Sequence, residues 1–139
     1  MEQQQQLMAR YATALAADPA ATYRQVDVAG RTADADPHRL VALLYEEGVG
    51  ALRAAAWAAE KGKPTIKSER VARATAVMFA LEAGLDFAKG GEVSKALAAF
   101  YHGLRGQVVQ ASLGNDPKPF RDAAASLEEI AGAWSSVRA

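Results

Sequence analysis

Three short clusters of helix-breaking residues, Gly62-Lys63-Pro64, Lys89-Gly90-Gly91 and Gly114-Asn115-Asp116-Pro117, cut the chain beyond Asp36-Pro37 into four stretches. Each stretch carries apolar residues at helical spacing. The first reads Val41, Tyr45, Gly48, Leu52, Ala55 and Ala59, with Leu40, Leu44 and Ala51 alongside. The second reads Val71, Ala74, Met78, Leu81 and Leu85. The third carries Val93, Leu97, Phe100, Tyr101, Leu104, Val108 and Ala111, and the fourth Phe120, Ala124, Leu127, Ile130, Trp134 and Val137. Four helices of ~20–25 residues are predicted, each ~30–38 Å long. Connections of a few residues force neighbours to run antiparallel, so the expected fold is all-α, an antiparallel up-down four-helix bundle.

The boundaries have physical causes. Asp36 can accept hydrogen bonds from free first-turn amides, and a proline at the first helical position sacrifices no bond. Glycine closes a helix in left-handed geometry without a Cβ clash. Alanine, the strongest helix former, fills 33 of the 139 positions. Residues 1–35 are weakly patterned: a helix-compatible stretch ends at Asp18-Pro19, and an irregular one follows with Tyr23 and Val26 as isolated larger side chains. The expected organisation is one domain. Residues 1–35 form a short N-terminal helix and extended segment packing on a bundle of residues 36–139.

Composition removes several functional classes. Sixteen basic and 16 acidic side chains give zero formal charge, against the basic excess of a dedicated nucleic-acid binder. The chain has no cysteine, which excludes disulfides, thiolate zinc sites and Cys nucleophiles and is compatible with a cytoplasmic location. No apolar run reaches the ~20 residues of a membrane-spanning helix, so no direct membrane insertion is expected. The start, Met1-Glu2 followed by four glutamines, has neither the basic nor the apolar region of a secretory signal.

Catalytic signatures are sparse. A di-iron bundle needs Glu-x-x-His pairs, and neither His38 nor His102 has a glutamate three residues before it. No phosphate-binding glycine loop and no Gly-x-Ser-x-Gly elbow is present. The carboxylate pairs Asp34/Asp36, Glu46/Glu47 and Glu128/Glu129 read as helix starts or solvated faces. One string, His102-Gly103-Leu104-Arg105-Gly106, resembles the His-x-Leu-Lys-Gly signature of histidine phosphotransfer domains, which are also helical bundles. It carries Arg for Lys, and Ser112 stands where that family has a further glycine.

A second resemblance spans nearly the whole chain from Tyr23 onward. Tyr23-Arg24-Gln25-Val26-Asp27-Val28 precedes the first long helix, then Asp36-Pro37-His38-Arg39-Leu40 leads into Leu44-Tyr45-Glu46-Glu47-Gly48. Leu85-Asp86-Phe87-Ala88-Lys89-Gly90-Gly91-Glu92 follows, then Ala96-Leu97-Ala98-Ala99-Phe100-Tyr101, and Trp134 stands on the last helix. In order and spacing these segments resemble the flagellin-specific export chaperones, the FliS family. Glu46-Glu47, Phe100, Gly106-Gln107 and Ser112 depart from that family's usual residues.

The resemblance implies a binding protein with no catalysis and no cofactor. Such chaperones hold the disordered C-terminal segment of flagellin in the cytoplasm, prevent premature polymerisation, and deliver the cargo to the export gate of the flagellar type III apparatus. A disordered cargo can fold on binding and lay apolar faces into grooves between helices. The expected flagellin-binding surface is Tyr23, Val26, Leu40, Leu44, Tyr45, Leu97, Tyr101, Leu104 and Val108. Tyr45 and Tyr101 stand foremost, since each joins apolar area to a hydroxyl that can bond a peptide. The resemblance also implies that residues 1–35 can pack over the bundle and compete with cargo. Swapped N-terminal segments would make a homodimer, which nothing in the sequence requires. Two alternatives stay open: a phosphotransfer domain acting through His102, and a bundle adaptor for a different secreted client.

Overall fold

The computed structural model describes residues 37–136, which form four helices and no strand. They are α1 (Pro37–Glu60), α2 (Pro64–Ala83), α3 (Phe87–Ala111) and α4 (Lys118–Ser136). The expected N-terminal helix and extended segment over residues 1–35 lies outside the described residues. Connections of three, three and six residues leave each helix antiparallel to the next, in the expected up-down order.

The first turn closes as its glycine and proline foretell. Gly62 sits at φ 66°, the Lys63 amide donates to Ala58 O at 2.9 Å, and Pro64 opens α2. Glycine adopts that φ without a Cβ penalty, and these bonds satisfy carbonyls the helix end would leave bare. The second turn is displaced from its expected place at Lys89-Gly90-Gly91. α2 stops at Ala83, and Asp86 caps α3 by accepting the Lys89 amide at 3.0 Å. A capping carboxylate here overrides the two glycines. They fall inside α3, where Gly91, at φ 51° and ψ −124°, makes a kink. At the third turn Asp116 accepts the Lys118 amide at 3.0 Å, and Lys67, buried on α2, donates from Nζ to Gly114 O at 2.8 Å.

The helices stand at the corners of a square. α1 packs most closely, on α2 and on α4; α3 packs on α2 and only lightly on α4. Close approach around α1 follows from its small buried residues, Ala51, Ala55, Ala56, Ala58 and Ala59. Gly48 extends this row. A Cβ built there would lie 2.8 Å from Leu127 Cδ2 on α4 and 3.2 Å from Val77 Cγ1 on α2. Leu44 and Leu52 from α1, Met78 and Leu81 from α2, Tyr101 and Val108 from α3, and Phe120 and Leu127 from α4 fill the centre. Burying each such side chain contributes about 1.5–3 kcal/mol before conformational entropy is counted.

One polar contact crosses the core diagonally. The hydroxyls of Tyr45 on α1 and Tyr101 on α3 lie 2.5 Å apart, both rings being buried. Burial pushes the Tyr45 phenol above its ordinary range, and the bond to Tyr101 pulls the other way without cancelling it.

The seam between α3 and α4

Three of the four seams carry ion pairs. Arg73 Nε meets Glu47 at 2.7 Å between α2 and α1, and Arg105 Nη1 meets Glu82 at 2.6 Å between α3 and α2. Arg53–Glu128 at 2.8 Å and Arg121–Glu60 at 2.7 Å join α1 to α4. Among the described residues no ion pair joins α3 to α4, the seam that is also packed most thinly.

The two halves of this seam differ. Toward the α3–α4 turn it widens into an open groove of about 970 Å³, walled by Gly106, Gln107 and Gln110 on one side and Pro119, Asp122 and Ser126 on the other. Small side chains cause the opening: a Cβ at Gly106 or Gly114 would meet nothing within 4 Å. Lys118 and Asp122 pair across one helical turn of α4 at the rim, at 2.8 Å. The hydrogen bond and charge of Asp122 hold the Lys118 ammonium above its usual range. Toward the other end the lining is apolar. Leu97 and Phe100 of α3 and Ile130 and Trp134 of α4 are half-buried, resting on the core with an edge toward solvent. Val93 lies beyond them on α3, 68 % exposed.

The start of α1 closes that end. His38 and Trp134 stack with ring centroids 4.7 Å apart and nearly parallel planes. Each also bonds the other's backbone at 3.0 Å, Trp134 Nε1 donating to His38 O and His38 Nε2 donating to Trp134 O. This clasp fixes the last turn of α4 to the first turn of α1.

The expected binding residues divide into three groups. Tyr23 and Val26 lie outside the described residues. Leu40 and Leu97 are half-buried and reach the surface. Leu44, Tyr45, Tyr101, Leu104 and Val108 are buried in the core, and the two tyrosine hydroxyls bond each other. Apolar surface also occurs where no binding residue was expected, at Phe79 of α2 and Trp57 of α1. Their signal in the sequence is position: both are large apolar residues that fall off the stripe of their helix.

His102 is exposed, and its Nδ1 lies 3.2 Å from Arg105 Nη2. The Arg105 guanidinium lies over the Phe79 ring, 5.4 Å from its centre, and its charge is matched by Glu82. The cation that a phosphotransfer reading requires is thus already paired. No group of three or more metal-ligating side chains occurs among the described residues.

Comparison with known proteins decides the family. The family model described as "Flagellar protein FliS" matches residues 19–139. The chain belongs to the FliS family. The flagellar secretion chaperone FliS of Salmonella typhimurium is 33% identical over 116 residues, covering 83% of this chain and 86% of that protein. The FliS of Vibrio cholerae is 29% identical over 115 residues, covering 83% and 85%. FliSB of Pseudomonas aeruginosa is 30% identical over 115 residues, covering 83% and 91%. FliS proteins are chaperones rather than enzymes, in keeping with the resemblance read from Tyr23 to Trp134. No helix among the described residues of this FliS-family chain is long and apolar enough to cross a membrane.

Proposed function

We propose that this chain is a cytoplasmic export chaperone for flagellin. It holds the disordered C-terminal segment of newly made subunits, prevents their premature polymerisation, and presents them to the flagellar type III export gate. The observation that carries this reading is the FliS match over residues 19–139, which takes in the whole bundle. The α3/α4 seam supports it physically, because an amphipathic client needs half-exposed apolar surface beside a gap to lay its own apolar face into.

The client contacts divide by depth. Leu97 and Leu40 meet it directly, with Tyr23 and Val26 contributing from ahead of α1. Leu44, Tyr45, Tyr101, Leu104 and Val108 form the wall behind, reached by the client where α3 and α4 part.

Calorimetric titration with a peptide covering the last ~40–50 residues of the host flagellin tests the reading, a length able to wrap several grooves. A 1:1 complex with a strongly negative heat-capacity change is expected, the mark of apolar burial on coupled folding. Leu97→Asp should weaken binding at least tenfold while leaving the helical circular dichroism intact. Absence of heat with folded protein would retire flagellin as the client and leave a bundle adaptor for another secreted protein.

A further inference from the structure

One cation of this chain is buried where no carboxylate meets it. Lys67, in the first turn of α2, is 8% exposed. Its ammonium donates to Gly114 O at 2.8 Å and lies 3.5 Å from Asn115 Oδ1, two acceptors of the α3–α4 turn. Among the described residues no aspartate or glutamate stands within ion-pair distance of it. What answers the charge is the C-terminal end of α3, where the last carbonyls carry the negative pole of the helix. Taking an ammonium out of water is costly, and an apolar side chain of similar volume usually fills such a space with no loss to folding. Folding alone does not call for a lysine here. What the ammonium adds is a hold on the turn.

Among the described residues no other hydrogen bond or ion pair ties residues 112–117 to α1 or α2. The remaining bonds of the turn stay local. The Leu113 and Gly114 amides donate back to Gln110 O and Ala111 O of α3, and Asp116 accepts the Lys118 amide of α4. Gly114 and Asn115 are exposed, so water would satisfy them in any position of the turn. Both residues also wall the lower end of the α3/α4 groove. Beside that groove the two helices share little packing and no ion pair among the described residues. Its width is therefore set at the turn, and the turn is set from α2. We propose that Lys67 is a positioning residue for client capture: it pins the α3–α4 turn and so holds the lower groove at one width, without itself touching the client. This rests on the reading of the chain as a flagellin chaperone and adds to it the side chain that pre-shapes the seam.

A groove held at one width is ready for its client. A groove whose wall wanders is competent only part of the time, and the apparent affinity falls by that fraction.

The chain has no cysteine, so one introduced pair reports the width without interference. Spin labels on Gln110→Cys and Ser126→Cys in the full chain, measured by pulsed electron resonance without client, should give one narrow distance. Lys67→Met should broaden or shift it. Circular dichroism and melting temperature should stay at the parent's level, since removing a buried unpaired charge offsets the lost bond. In the unlabelled chain the same substitution should raise the dissociation constant for the flagellin C-terminal peptide about tenfold, as for a productive width populated about a tenth of the time. If Lys67→Met does not fold, Lys67→Arg, which keeps the charge but changes the reach, should shift the distance and weaken the affinity together. An unchanged distance overturns the proposal. So does a changed distance at unchanged affinity, or an affinity loss that only follows a fall in melting temperature. A parent chain that binds no flagellin peptide removes the functional reading and this proposal with it. A parent that binds, with Lys67→Met indifferent in distance and affinity, removes this proposal alone.

Discussion

Tyr45 shows how one buried hydroxyl ties stability to pH. Its phenol is raised above the ordinary value of 10.0 in the folded chain. Above pH ~10 the unfolded chain therefore loses a proton that the folded chain keeps, and stability falls as pH rises through that point; below it the group contributes no slope. Chemical denaturation at pH 8 and pH 11 should show this loss. Tyr45→Phe should flatten the alkaline slope while costing about 1 kcal/mol at neutral pH, the net value of a buried hydrogen bond. Gly48 makes a steric point at the same scale. Gly48→Val puts a branched side chain where Leu127 and Val77 already leave 2.8 and 3.2 Å to a Cβ. Overpacking of this kind should lower the unfolding free energy by about 2–3 kcal/mol, measured by urea titration. Both residues sit on the first apolar stripe of the sequence, and periodicity identifies them as inward. It does not say whether inward means core or seam. The bond between Tyr45 and Tyr101 was not legible for that reason, since a ring with a hydroxyl looks the same in a sequence whether it meets a client or another tyrosine.

Among the elements, α1, α2 and α4 begin at or directly after a proline, and α1 ends at Glu60, two residues short of Gly62 with its φ of 66°. The α2–α3 turn was legible only in part. Gly90-Gly91 is the strongest breaker in that stretch by residue type, yet Asp86 starts the helix and the glycines are absorbed as a kink. Two competing local signals lay within six residues, and the Asp86 cap prevailed over the glycines. The kink itself depends on glycine. φ 51° with ψ −124° is a conformation for which a Cβ is strained, so Gly91→Ala should destabilise the chain by about 1–3 kcal/mol in a thermal melt. The opposite end of α3 is held differently, by the Lys67 ammonium on the Gly114 carbonyl. A lysine that would read as solvated in a sequence is here buried, because it reaches a turn that nothing local connects to it.

Across the whole molecule, packing is uneven. α1 shares tight seams with two neighbours, while α3 leans on α2 and leaves its α4 side thin and without ion pairs. Local opening follows the least-packed boundary. Native-state hydrogen exchange should therefore find the slowest amides near Leu52 and Ala55 of α1 and faster ones along the α4-facing side of α3. A bound client that spans the seam should slow the second set more than the first.

The His38–Trp134 clasp gives this chain a reporter of its own. Only two tryptophans are present, one turned outward at Trp57 and one stacked on an imidazole at Trp134. An indole pressed against a histidine ring and bonded through its N–H emits differently from one in water. In a chain whose outward indole has been replaced by phenylalanine, the remaining light comes from the junction of the first and last helical turns. Its colour and intensity become a clock for the separation of those turns, readable in a stopped-flow cell without any attached dye.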